Sequence, residues 1–264
     1  MIFGFRKPVR RRWYLSIAIS SVLLTLAAWY VVSATGVFPE AFFPSPTRVY
    51  VAALNMFGSQ DFVTDVLASA ARIGVAFLVC AVVGIPLGLL MSSFKSVEAL
   101  VEPLIDFLRY VPVPALLPIF VLWSGIGEIP KFLVLFFGTF FQMVLLVMDD
   151  ADNVPNVYFD LAKTMGATTR HLVRDVLIPY LMPQVFDRLR VTLGWCWTYL
   201  VIAELIAVER GVGHAIKESQ RFNAADKLFV CFIVLGLIGL VTDFGAKLVY
   251  RILFPYAAKA ALHV

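Results

Sequence analysis

Apolar residues gather into six long stretches separated by shorter polar ones, at about 13–33, 71–92, 103–123, 130–148, 189–208 and 228–250. About 20 consecutive apolar residues are needed for a helix to cross hydrocarbon. Within lipid a helix also satisfies its own backbone hydrogen bonds. The pattern therefore predicts an all-α integral membrane protein of about six transmembrane helices. Small residues punctuate two stretches: Gly74, Gly84 and Gly88 in the second, and Gly236 and Gly239 in the sixth. Gly84 and Gly88 have the G-x-x-x-G spacing that lets helices approach closely.

Composition agrees with this reading. Of 264 residues, 61% are hydrophobic and 15% charged, against about 25% charged in soluble domains. No linker or composition break divides the chain, so we read 1–264 as a single transmembrane domain, with a tail at 1–12, a core at 69–250 and a polar loop at 149–188. Cys80, Cys196 and Cys231 lie in apolar runs without metal-ligand or C-x-x-C spacing. They read as packing residues. His171 has no second histidine placed to form a metal site with it.

Charge placement reports topology. Arg6, Lys7, Arg10, Arg11 and Arg12 precede the first stretch, which puts the N-terminus in the cytoplasm. Six spans then put 93–102, 149–188 and the C-terminus in the cytoplasm, and 34–70, 124–129 and 209–227 outside. The first external segment has Arg48 alone. The last carries Arg210, Lys217, Arg221 and Lys227, against the rule. A secretory signal is the competing reading of 1–34, but its apolar run is longer than the about 7–15 residues of a signal core. Trp29 and Tyr30 suit interfacial anchors.

Residues 149–188 form the long polar stretch on the cytoplasmic side. A helical pattern runs from Val157 to Met165, and Gly166 breaks it. A second short helix is expected from about Thr168 to Ile178, with Thr168 as N-cap and Pro179 ending it. Leu172, Val173, Val176 and Leu177 give it an apolar stripe, and Arg170, His171, Arg174 and Asp175 an opposite polar face. Two amphipathic helices at a glycine bend make a knob that can dock on a soluble partner.

The run Asp160-Leu161-Ala162, Gly166, Val176, Ile178, Pro179 resembles the EAA signature of ATP-binding-cassette (ABC) importer permeases. Its spacing is complete, with Asp160 for Glu and Leu161 for the first Ala as departures. Phe43-Pro44-Ser45-Pro46-Thr47, the run from Arg109 to Pro118, Trp123-Ser124-Gly125-Ile126-Gly127, Ala203-Glu204-Leu205 and Gly211-Val212-Gly213 are similar to segments of the sulfonate, taurine and nitrate branch. Matches extend over about 43–250. The resemblance implies a type I importer permease in a bacterial cytoplasmic (inner) membrane. It implies two ABC ATPase subunits docking at Asp160, Leu161, Ala162, Gly166, Ala167, Thr168, Arg170, Ile178 and Pro179, a second permease copy as a homodimer, and an external or periplasmic substrate-binding protein. The solute would be a small anion such as a sulfonate, taurine, nitrate or bicarbonate. The chain has no G-x-x-x-x-G-K-[ST] loop, so ATP and magnesium belong to the partner. It is not itself an enzyme, and nucleic acid is not a partner.

Polar residues within the spans need a reason, since a charge at mid-bilayer costs about 2.5–3.5 kcal/mol on insertion scales. Glu204 suits either a pathway-lining role or an ion pair with Arg72. Arg109 either snorkels to headgroups or meets solute. Pro112, Pro114 and Pro118 interrupt span three and kink it, as a pathway-lining break or a passive bend. Trp123, Trp195 and Trp197 either flank a solute or pack and anchor. Asp243 and Lys247, four apart, pair on one helix face. A gradient-driven transporter would show paired broken helices, and the span-three pattern has no second copy. A membrane enzyme would cluster catalytic groups; the acids here are isolated.

Overall fold

The computed structural model describes residues 11–206 and 210–255. The expected tail and C-terminus fall largely outside them, including Arg6, Lys7 and Arg10. The described residues form α-helices with one π-helical segment. They pack into two compact units, one within 1–60 and 216–233, the other within 61–215 and 234–264.

The first unit holds α1 (Arg11–Ala34) and α2 (Pro46–Gly58). Pro46 stands at the first helical position of α2, where its missing N–H costs nothing. Trp29 donates through Nε1 to the Pro44 carbonyl (3.0 Å) and stacks on Phe229 at 5.6 Å. That ring is therefore a packing anchor for the Pro44 turn as well as an interface-type residue.

The second unit is built on α3 (Gln60–Ser93), α4 (Lys95–Arg109), α5 (Val113–Ser124), α6 (Glu128–Asp152), α7 (Asn156–Thr164), α8 (Thr169–His171), a π-helical turn (Leu172–Leu177) and α9 (Ile178–Ile206). The chain then runs through α10 (Val212–Arg221) and α11 (Ala225–Leu253). α6 is the buried centre, with Val134, Leu135, Val144 and Val147 fully enclosed. Gly88 makes the α3–α6 contact possible, because a Cβ there would meet the Val144 carbonyl at 2.7 Å and Val147 Cβ at 2.9 Å. The small-residue spacing is thus a packing device here, whereas Gly74, Gly236 and Gly239 have open space around them.

Among the described residues, four helices are long and apolar enough to cross a membrane: 12–34, 60–93, 128–152 and 225–253. A fifth crossing arises if α4 and α5 together count as one. The expected span three is therefore not one helix but two, bent by 98°. Val111 precedes a proline, a position that avoids helical geometry, and α4 has ended at Arg109; Pro112 (ψ 112°) then turns the chain into α5. Pro118, by contrast, is carried inside α5. The expected span at 189–208 lies in α9, whose apolar run is interrupted by Asp187, Arg188, Arg190 and Glu204.

The polar stretch at 149–188 is mostly not a loop. Asp149, Asp150 and Asp152 belong to the last turn of α6, and residues from 178 onward to α9. Asp150 is buried and takes Arg188 Nε and Nη2 at 2.9 Å each. This pairing lets charged residues continue both helices. Pro179 does not end a helix either: it sits in the first turn of α9. Ahead of it the Ile178 N–H reaches back five residues to Val173, the wider π spacing. A π turn shifts the carbonyl with which a proline ring would collide.

Candidate functional site

The sequence-predicted residues fall into three places in the second unit. The first is the knob between α6 and α9. No residue of α7 is buried, and Val157, Leu161 and Met165, at i, i+4 and i+8, are 61–82% exposed. An exposed apolar stripe at helical spacing is a surface prepared for a partner. Gly166 has φ +82° with nothing within 4 Å of a would-be Cβ, so backbone conformation alone, not space, calls for glycine there. The Ala167 N–H returns to the Ala162 carbonyl (3.0 Å), closing the end of α7.

The next helix starts on a capping box in which Thr168 and His171 satisfy each other's end. The His171 Nδ1 accepts from the Thr168 N–H at 3.3 Å. His171 thus acts as a cap, where Glu or Gln usually stands. Asp160 pairs with Lys163 on the exposed face (3.6 Å). Arg170 is exposed and Ile178 half-buried. All nine residues expected to meet the ATPase therefore lie on one short segment.

The second place is a cavity of about 270 Å³ beside the α4–α5 bend, walled by α6 and α9. It brings together Arg109 and Trp195 of the expected pathway set. Pro112 and Pro114 shape the bend without lining this cavity, and Trp123 is highly exposed at the end of α5. Gln142, Thr198 and Tyr199 also line it, and sequence reasoning missed all three. Gly138 admits the Tyr199 ring: a Cβ there would meet it at 2.5 Å. The Arg109 Nη2 faces Asp106 at 3.0 Å, and the guanidinium lies 5.0 Å from the Tyr110 ring centroid.

The third place is the environment of Glu204, which is not among the residues lining that cavity. Its side chain is fully buried. Ser69 donates to its two oxygens (2.7 and 2.9 Å), Arg72 Nη1 donates at 2.6 Å, and the Gly213 N–H at 2.8 Å. Of the two roles open to Glu204, the geometry supplies the ion pair. Arg72 also holds Glu128 through Nε (2.5 Å) and Nη2 (2.9 Å), and Lys131 joins at 2.7 Å. A Cβ on Gly211 would lie 2.6 Å from the Glu204 carboxylate, and one on Gly213 would overlap Glu204 Cβ. The sequence offered the Arg72 pairing, and the two glycines just beyond Ala203-Glu204-Leu205 hinted at the close approach. Ser69, Glu128 and Lys131 carried no signal. Elsewhere, Lys247 pairs with Asp243 as expected (2.6 Å), and Arg190 joins them (3.4 Å). Cys80, Cys196 and Cys231 are buried and not joined in disulfides. Among the described residues no group of three His, Cys, Asp or Glu side chains is arranged to hold a metal ion.

Comparison with known proteins gives three findings. Residues 82–256 match the family described as "Binding-protein-dependent transport system inner membrane component". The chain is 32% identical over 257 residues to the taurine transport system permease protein TauC of Escherichia coli, covering 96% of this chain and 93% of that one. It is 28% identical over 253 residues to a putative aliphatic sulfonates transport permease protein, SsuC of Bacillus subtilis, covering 95% and 91%. Among solved structures, the MetNI methionine ABC transporter matches with a TM-score of 0.65 at 20% identity, covering 72% of this chain and 94% of that one. A bacterial alginate ABC transporter matches at 0.61 and 12% identity, covering 92% and 96%.

Proposed function

This chain belongs to the binding-protein-dependent transport system inner membrane components, the non-catalytic permease subunits of type I ABC importers, and from that premise we propose that it moves a small organic anion, of the sulfonate or taurine kind, into the bacterial cytoplasm. The anion class is supported by the relatives named for taurine and aliphatic sulfonates. External basic residues Arg210, Lys217 and Arg221 agree with it, either through the solute or through an acidic binding protein.

ATPase and substrate-binding components complete the importer, and hydrolysis takes place on the ATPase. Two copies of this chain form the pathway, and each presents its 156–179 knob to one ATPase subunit at the cytoplasmic face. The single observation that carries this reading is the knob itself. Its apolar stripe of Val157, Leu161 and Met165 is exposed, while Leu177 and Val154 at its base are buried in a core with Val147 and Leu181. Force applied to the stripe therefore passes into α6 and α9, the helices that wall the Arg109 cavity. Closure of the ATPase on ATP would shift the bundle between its two access states.

The test is uptake by proteoliposomes holding this chain and its ATPase, with the binding protein added outside. Uptake is expected to require both ATP and the binding protein. Uptake that persists without ATP would refute the importer assignment.

A further inference from the structure

The cavity at the α4–α5 bend has a composition that goes beyond its role as open space. One cation, Arg109, stands at its edge with no acidic residue in the lining. Gln142 and Thr198 add an amide and a hydroxyl, while Phe141 and Trp195 supply aromatic wall. Neither Gln142 nor Thr198 makes a side-chain hydrogen bond to another described residue. The Asp106 carboxylate and the Tyr110 hydroxyl both meet Nη2 of Arg109, and the Tyr110 ring centroid lies 5.0 Å from the guanidinium carbon, while a guanidinium has five N–H donors. Convergent polar side chains beside an aromatic wall are the usual means of fixing a ligand's orientation.

Resting on the importer reading, we infer that this cavity is a solute-selecting site within the permease. Gln142 and Thr198 hydrogen-bond the oxygen-rich head of a small organic anion, Arg109 is its counter-charge, and Trp195 limits the length of its apolar stem. Selection is thus made twice, once by the binding protein and again in the membrane. An inorganic anion would leave the aromatic wall unused.

The experiment uses the complete importer in proteoliposomes, with alkanesulfonates of two to eight carbons that the binding protein is first shown to load. Gln142→Leu and Thr198→Val are each expected to lower ethanesulfonate uptake about tenfold, because a site that hydrogen-bonds the sulfonate head loses a partner. Trp195→Ala is expected to raise the ratio of octanesulfonate to ethanesulfonate uptake about fivefold or more, scaled to how well a pocket of this kind senses methylenes. A poorly assembled variant cannot raise that ratio, so this measurement stands even if yield falls. Variants with wild-type rates and wild-type length preference, in an importer whose wild-type uptake needs ATP and binding protein, would overturn the site while leaving the importer intact. Wild-type uptake independent of ATP would instead remove the premise.

Discussion

At the residue scale, the Glu204 network sets the clearest energetic expectation. Glu204 has no exposure, so among the described residues its charge is compensated by Arg72, Ser69 and the Gly213 N–H. Removing one partner of a buried pair costs about 3–5 kcal/mol because the other charge stays buried. Arg72→Met should therefore lower the thermal midpoint of the purified protein strongly. Glu204→Gln removes the charge but sets an amide N–H against either the Arg72 or the Gly213 donor, a conflict worth about 1–3 kcal/mol. Thermal unfolding in detergent is expected to rank Arg72→Met below Glu204→Gln, and both below wild type. The reverse order would mean that the carboxylate has work beyond the pair. The pairing itself was legible, since an isolated acid and an isolated base in neighbouring apolar stretches seek each other. Ser69 was not, because a serine in an apolar helix looks like any other small residue until the fold brings a carboxylate to it.

At the element scale, the bend between α7 and α8 was readable because its chemistry is local. Gly166 supplies a positive φ of 82°, and Thr168 caps α8. Proline has φ fixed near −65° and cannot take this conformation. Gly166→Pro is expected to abolish co-purification of the ATPase while membrane insertion proceeds. Normal recovery of the complex would argue against the knob. Thr168→Ala removes a cap worth about 1 kcal/mol and should weaken co-purification without eliminating it. What local reading missed is how helices continue. Pro179 looked like an end, but a π turn of six residues absorbs the proline and joins the knob to α9. Asp149 and Asp150 looked like loop, yet Arg188, 38 residues later, neutralises Asp150 and keeps α6 helical. Such partners are invisible to any window of sequence shorter than their separation.

At the scale of the whole chain, ion pairs fix the sense of three helices in the second unit. Arg72 near the start of α3 meets Glu128 at the start of α6 and Glu204 at the end of α9. At the far end of α6, Lys95, just after α3, lies 3.5 Å from Asp152, and Arg188 of α9 meets Asp150. So α3 and α6 run the same way between two levels of charge, and α9 runs back between the same levels. If α6 crosses the membrane, the part of α9 between Arg188 and Glu204 covers the same depth despite its polar residues. The bent α4–α5 pair must then return the chain across. With α1 and α11 such a path would make six crossings, against the four or five that length and hydropathy give among the described residues. A cysteine at Met165 (82% exposed) and one at Phe222 (69% exposed) test this directly, because α9 is the one long helix between them. The native cysteines are buried and should add little background to labelling by an impermeant maleimide. Position 222 is expected to react in spheroplasts and position 165 in inside-out vesicles. Reaction of both from one side would show that α9 does not cross, and reaction of position 165 in spheroplasts would put the knob out of reach of any cytoplasmic ATPase.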